Sequence, residues 1–284
     1  MLSCKKEPVT EHGFFMADSY FTVKVYEKCR ENLLSELEAY LEKYAFEIDR
    51  HAPASLTGRL NETGSVQAPE WYTDLIARVL DIEKQAPGFN MLSGRLCDIW
   101  GFTDRNYRVP AKEELEKVVG RGNITLKENE LRISDCIVDL GGCGKGFLLE
   151  LAGKYLEERG VKTYLLNFGG NVMGRGERNF KIGIQDPDSA AGEYGKIITI
   201  RNKCVATSGD YERYFEMNGR RYCHIFDPAT GYPAAFYRAV TVICDEPLMS
   251  DILSTSAFIS GISAVKKNFP DIEMIGIKAK KRSE

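Results

Sequence analysis

Lys145 stands in the run Asp139-Leu140-Gly141-Gly142-Cys143-Gly144-Lys145-Gly146, where residue type and spacing point most directly at chemistry. The apolar segment Cys136 to Leu140 reads as a strand ending in this cluster of small residues. An amphipathic helix carrying Phe147, Leu148, Leu151, Tyr155 and Leu156 follows and stops at Gly160. Small residues at a strand-to-helix turn let backbone N–H groups approach an anion, and a helix N-terminus favours negative charge. A lysine there adds a point charge for phosphate. The run is not a P-loop, because no Ser or Thr follows the lysine and the first glycine of that pattern is missing. Its G-x-G-x-G spacing is not the dinucleotide fingerprint either. The chemistry suggested is a phosphate held by a different device; the run alone fits a Gly-rich turn with a solvated lysine equally well.

Further polar residues cluster downstream. Thr207-Ser208-Gly209-Asp210-Tyr211-Glu212-Arg213-Tyr214-Phe215 leads into a hairpin whose Asn218-Gly219 pair signals a type I′ turn. The return strand carries Tyr222-Cys223-His224-Ile225-Phe226-Asp227-Pro228-Ala229-Thr230-Gly231-Tyr232-Pro233. His224, one of three histidines, is a candidate general base because imidazole titrates near neutrality; its other reading is a hydrogen bond shaping the hairpin, with Asp227 as partner. Asp251 and Thr255 lie four apart, on one face of a helix. Spacing alone reads Asp251 as a helix cap and Thr255 as a core residue, just as Asp139 reads as a cap before the glycine turn.

The elements that must position these groups are mixed in type. Phe14 to Tyr26 alternates apolar residues as a strand or hairpin arm does. Asn32 to Ile48 and Glu70 to Gln85 repeat them at helical spacing, and Pro110 suits the first turn of a short helix ending near Val119. Val161 to Asn167, Phe180 to Gln185, Lys196 to Val205, Ala239 to Cys244 and Glu273 to Ile277 read as strands, and Pro247 to Ser260 as a helix. This mixture predicts an α+β fold with largely antiparallel sheets rather than a parallel βαβ array.

In order along the chain, the Asp-Leu-Gly-Gly-x-x-Lys-Gly turn, Gly169-Gly170-Asn171, the Thr-Ser-Gly-x-Tyr-Glu-Arg block, His-Ile-x-Asp-Pro-x-Thr-Gly-x-Pro and the Asp-x-x-x-Thr helix closely resemble the ApbE family, the FAD:protein FMN transferases. The match runs from about Phe14 to Gly261. It implies an architecture related to the T-fold. It also implies a magnesium-dependent transfer of FMN from FAD to a Thr or Ser hydroxyl of an acceptor flavoprotein, with release of AMP. On this resemblance Asp251, Thr255 and the carbonyl of Gly142 are metal ligands. Lys145 meets phosphate, while Asp139 and Ile225 contact the cofactor. The amino-terminal half departs from the pattern. Met16-Ala17-Asp18 replaces Met-Gly-Thr, so Met16 fits an adenine or flavin contact while Asp18 brings a charge. Ser55-Leu56-Thr57-Gly58-Arg59-Leu60-Asn61 keeps the ends of Ser-x-x-Ser-x-Leu-Asn. An expected aromatic aligns with His51. Gly88-Phe89-Asn90 replaces Ala-Phe-Asp, ahead of a preserved Trp100-Gly101-Phe102. The acceptors implied are flavoproteins of redox systems, such as Na⁺-pumping quinone reductase or Rnf-type subunits, or a secreted flavoprotein. The same site with water as nucleophile would be an FAD pyrophosphatase, and without turnover a non-catalytic FAD-binding protein.

The chain has 284 residues, 43% hydrophobic and 28% charged, which is ample for a globular core. A net charge of −3 gives no support to nucleic-acid binding. Its eight cysteines form no C-x-x-C pair, and Cys136, Cys204 and Cys244 in apolar strands read as buried thiols. The expected layout is a tether at 1–12, one domain at 13–278 and a basic tail at 279–284 containing Lys280, Lys281 and Arg282. Met1-Leu2-Ser3-Cys4-Lys5-Lys6 resembles a lipobox remnant. A membrane-anchored extracytoplasmic lipoprotein is expected if an upstream signal is missing, and a cytoplasmic protein otherwise.

Overall fold

The computed structural model describes residues 9–187 and 193–279. β1 (Thr10–Met16) and β2 (Ser19–Val25) pair antiparallel with Met16 opposite Ser19. Only Ala17 and Asp18 separate them, at φ 44° and 57°, a left-handed turn whose twist matches that of the strands. Alternation buries Phe14, Met16, Phe21, Val23 and Val25. The strand begins at Thr10, so Thr10 to His12 belong to the folded domain rather than to a tether; His12 Nε2 lies 2.6 Å from Glu38 Oε2.

α1 (Leu33–Ile48) turns the stripe Leu33, Leu34, Leu37, Leu41, Ala45 and Ile48 inward. α2 (Leu56–Thr63) starts where Ser55 Oγ accepts the Gly58 N–H at 2.8 Å, an N-cap, and ends at left-handed Gly64. β3 (Ser65–Gln67), α3 (Glu70–Glu83), α4 (Gly94–Ile99), α5 (Lys112–Leu115), β4 (Asn123–Lys127) and β5 (Glu130–Ser134) follow. β3, β5 and β4 form a small antiparallel sheet.

α6 (Gly144–Glu158) leads to β6 (Tyr164–Phe168), β7 (Asn171–Arg175), β8 (Phe180–Gln185), β9 (Tyr194–Ile200) and β10 (Lys203–Gly209). The hairpin β11 (Tyr214–Met217) and β12 (Arg220–Cys223) turns at Asn218 and Gly219, φ 52° and 70°, as the sequence predicts. β13 (Tyr237–Cys244), α7 (Pro247–Ser260), α8 (Ile262–Val265) and β14 (Glu273–Lys278) close the fold. A seven-stranded antiparallel sheet, in the order β1-β2-β6-β7-β10-β13-β14, carries α6 and α7. The expected α+β class is the observed one.

Two expected strands differ. Cys136 to Leu140 makes one isolated bridge, Ser93 to Ile137, because other groups satisfy its backbone. Asn61 both accepts from the Val138 N–H and donates to its carbonyl, at 2.8 and 2.9 Å, and the Asp139 N–H donates to Met91 O. Lys196 to Val205 is two strands. Asn202 turns the chain at φ 53°, leaving β9 on β8 in a separate ribbon while β10 enters the main sheet. No helix among the described residues is long and apolar enough to cross a membrane. Cys4, most of the expected tether and the basic tail from Lys280 onward lie outside the described residues.

Candidate functional site

The glycine turn is built around Asp139 and the start of α6. Asp139 Oδ1 accepts the Gly141 N–H at 2.8 Å, so this carboxylate closes the turn rather than capping α6. Its Oδ2 lies 2.9 Å from Arg50 Nε, an ion pair whose angle falls short of a hydrogen bond. The same guanidinium donates to Asp98 at 2.9 Å and Thr103 at 2.8 Å. Beneath the turn sits Phe89: a Cβ on Gly142 would stand 3.0 Å from its ring.

Gly146 sets the central distance of the site. A Cβ there would meet Pro247 O at 2.4 Å, so glycine lets α6 and α7 cross closely. That crossing brings the Gly146 N–H to 2.8 Å from Asp251 Oδ2. Asp251 therefore caps α6 from across the interface, not its own helix, and the positive end of α6 faces its carboxylate. Asp251 is 5% exposed. Burial pushes its carboxyl above the usual range, while Lys145, Asn171 and the Gly146 N–H favour the ionised form. Thr255, one turn on, shares a 3.1 Å hydroxyl contact with Ser208, which also meets Ser254 at 2.8 Å.

Lys145 makes no ion pair within 4 Å among the described residues. It is nonetheless close enough to Asp251, Glu212 and His224 to act on their charges. Its stem runs past the β6–β7 turn: a Cβ on Gly169 would stand 3.4 Å from Lys145 Cδ and 2.8 Å from Ser19 Oγ. The tip of the first hairpin, the Gly169-Gly170 turn and Lys145 therefore converge. Burial raises the Glu212 carboxyl, Lys145 opposes that shift, and the charge of Asp251 adds to it.

His224 is held neutral. Burial first, then the positive charge of Arg213, lowers its pKa to about 4, partly opposed by a hydrogen bond to the Arg213 carbonyl. That bond joins Nδ1 to Arg213 O at 3.1 Å. A carbonyl only accepts, so Nδ1 carries the proton and Nε2 is bare, the tautomer a general base requires. Asp227 is not its partner; it accepts from the Ala229 N–H and the Thr230 hydroxyl and shapes the following turn. Behind His224 lies Phe102, with ring centroids 6.3 Å apart, and Trp100 Nε1 donates to Gly231 O at 2.9 Å.

Gly142, Asp139, Lys145, Asp251, Thr255 and His224 thus gather around the start of α6. Ile225 is buried beside His224. Met16 is buried in the core one residue from the hairpin tip, and His51 is exposed next to Arg50. Gly88, at φ 79°, has no room for a Cβ, which would meet Ser260 Oγ at 2.3 Å. Asn90 accepts the Leu92 N–H at 2.7 Å and folds the turn before α4. The sequence reading did not single out Arg50, Asn171 or Glu212. The last two stand inside motifs that it quoted, which was the available signal; nothing in the sequence marks Arg50.

Among the described residues no group of three His, Cys, Asp or Glu is placed to hold a metal. The available set is the Gly142 carbonyl, the Asp251 carboxylate and the Thr255 hydroxyl. These are hard oxygens with one charge, which fits magnesium, an ion that keeps waters and takes substrate phosphates. The fit rests on Asp251 itself, a buried carboxylate with one short backbone hydrogen bond and no cation in contact.

Comparison with known proteins places the chain in a family. A family model described as the ApbE family matches residues 17–275. An FAD:protein FMN transferase of Haemophilus influenzae is 29% identical over 283 residues, covering 92% of this chain and 80% of the relative. The crystal structure of the ApbE protein of Thermotoga maritima MSB8 matches with a TM-score of 0.87 at 27% identity, covering 98% of this chain and 97% of the other. The apo form of the Pseudomonas stutzeri flavinyl transferase ApbE matches at 0.86 and 25% identity, over 98% and 94% of the two chains.

Proposed function

The chain belongs to the ApbE family, and from that premise we propose that it is a flavin transferase that moves the FMN half of FAD onto a Thr or Ser hydroxyl of an acceptor flavoprotein and releases AMP. The observation that carries this reading is the convergence at the start of α6 of Lys145, which makes no ion pair among the described residues, the buried Asp251 carboxylate and the half-buried Thr255 hydroxyl one turn from it. In the reaction the acceptor oxygen bonds to the FMN phosphorus, and the bond from that phosphorus to the bridging oxygen breaks. AMP departs with the bridging oxygen and the electron pair.

Each residue has a defined task. Lys145 supplies the point charge that holds the diphosphate. Gly142, Asp251 and Thr255 would hold magnesium, which would neutralise charge developing on the phosphate oxygens. His224 Nε2 takes the proton of the attacking hydroxyl. The acceptors proposed are subunits of redox complexes of the Na⁺-pumping quinone reductase or Rnf type, or a secreted flavoprotein. The proposed location is extracytoplasmic, through a lipidated Cys4, if a signal segment precedes Met1 in the natural gene, and cytoplasmic otherwise. Reading the genomic sequence upstream decides between these.

The test is AMP release measured by chromatography with FAD and Mg²⁺, with and without an acceptor protein. Transfer predicts release that depends on acceptor and stops in excess EDTA. Equal release without acceptor would make the protein an FAD pyrophosphatase. Tight FAD binding with no AMP under either condition would make it a binding protein.

A further inference from the structure

Asn171 opens β7 directly after the Gly169-Gly170 turn, opposite Phe168. It is 2% exposed, and its Nδ2 has no hydrogen-bond partner of normal geometry among the described residues. A desolvated amide donor without a partner is unfavourable. Pairing with Phe168 holds its backbone, and the pairing of β7 with β10 begins at the next residue, Val172, so the side chain is kept in this buried position. The neighbouring charged group is Asp251, close enough for the amide to act on its carboxylate. That carboxylate has about four acceptor positions, of which Gly146 N–H occupies one on Oδ2. A cation would take another and leave room for a second donor.

We infer that Asn171 is a positioning residue for the metal: its Nδ2–H donates to the Asp251 carboxylate and fixes the orientation in which the free oxygen meets the cation. This rests on the proposed metal-dependent reading of the site. Ligand carboxylates are themselves hydrogen-bonded by neighbours that orient them, and loss of such a neighbour typically lowers metal affinity by roughly 10–100-fold.

The experiment titrates Mn²⁺ as the probe into the full chain with saturating FAD, following free aquo-Mn²⁺ by electron paramagnetic resonance. The proteins are the wild type, Asn171→Leu, Asn171→Ser, Asn171→Ala and Asp251→Ala. The expected affinity order is wild type, then Asn171→Ser, then Asn171→Ala and Asn171→Leu, the last two weaker than wild type by roughly 10–100-fold. Riboflavin affinity, measured by fluorescence quenching, stays level across the series. If Asn171→Leu does not fold, the Ser and Ala variants carry the comparison. Wild-type Mn²⁺ affinity in the Asn171 variants, alongside loss in Asp251→Ala, overturns this inference and leaves the metal site standing. Equal Mn²⁺ binding by wild type and Asp251→Ala overturns the metal site and the inference together.

Discussion

The two walls that meet at the glycine turn treat their polar groups differently. On the amino-terminal wall most are answered by hydrogen bonds from within the protein, and Arg50 Nε by an ion pair with Asp139 that lacks hydrogen-bond geometry. Arg50 joins Asp98, Thr103 and Asp139; Asn61 pairs with both backbone groups of Val138; Asn90 accepts from Leu92, and Ser55 from Gly58. On the carboxy-terminal wall capacity is left over. Among the described residues Lys145 has no ion pair of contact length, Asn171 Nδ2 has no hydrogen bond of normal geometry, Asp251 has one short backbone donor and His224 Nε2 is bare. A satisfied network rigidifies, whereas an unsatisfied one is disposed to take a ligand. The first wall is scaffold for the second, and substitutions on the two should separate stability from function.

The largest effect is expected at Asp251. Asp251→Ala should lower transfer by on the order of a thousandfold through lost stabilisation of developing phosphate charge, with a far smaller change in melting temperature. AMP release and thermal unfolding on the same samples test this, and retained activity would break the comparison on its functional side. Asn61→Leu should do the reverse. It orphans the Val138 N–H and carbonyl, at about 1–3 kcal/mol each, so the urea midpoint should fall while FAD affinity in the absence of denaturant holds. An unchanged midpoint would mean that the amino-terminal wall is not the scaffold.

Lys145→Met sharpens the contrast by ligand. Losing a hydrogen bond to a charged group is worth about 1.5–3 kcal/mol, roughly ten- to a hundredfold in affinity. FAD should weaken by that factor and riboflavin, which lacks phosphate, should not; equal weakening of both would assign Lys145 a structural task. The smallest effect is the pH response of His224. Its folded pKa of about 4 lies below its ordinary 6.5, so the unfolded chain binds the proton more readily. The stabilisation is present above pH 6.5 and is lost as pH falls toward 4. The stability difference between wild type and His224→Gln should therefore shift against the wild type across that window. A pH-independent difference would show that His224 is not held neutral.

Elements with strong periodicity were legible, including α1, α3, α7 and the Asn218-Gly219 hairpin. Residues 136–140 were not, because an apolar run reads as a strand whether its partner is a neighbouring strand or the side chain of Asn61. The break at Asn202 was hidden because a lone left-handed Asn leaves little mark among the β-branched residues before it. α2 lacks the Glu of a capping box and has Gly58 where that residue would stand. At the site, the motifs singled out Lys145, Asp251, Thr255 and His224, and the fold sets Lys145 near Asp251 and His224 with Thr255 one turn from Asp251. Which helix Asp251 caps was unreadable, because it depends on the crossing of α6 and α7 that Gly146 permits.

The central claim is that the carboxy-terminal wall transfers a flavin phosphate to protein. Intact-mass spectrometry of a candidate acceptor incubated with this chain, FAD and Mg²⁺ tests it most directly. The account predicts an added FMN residue on the acceptor, located on a Thr or Ser, absent with Asp251→Ala and absent in excess EDTA. An unmodified acceptor, with FAD cleaved at the same rate whether acceptor is present or not, would contradict it.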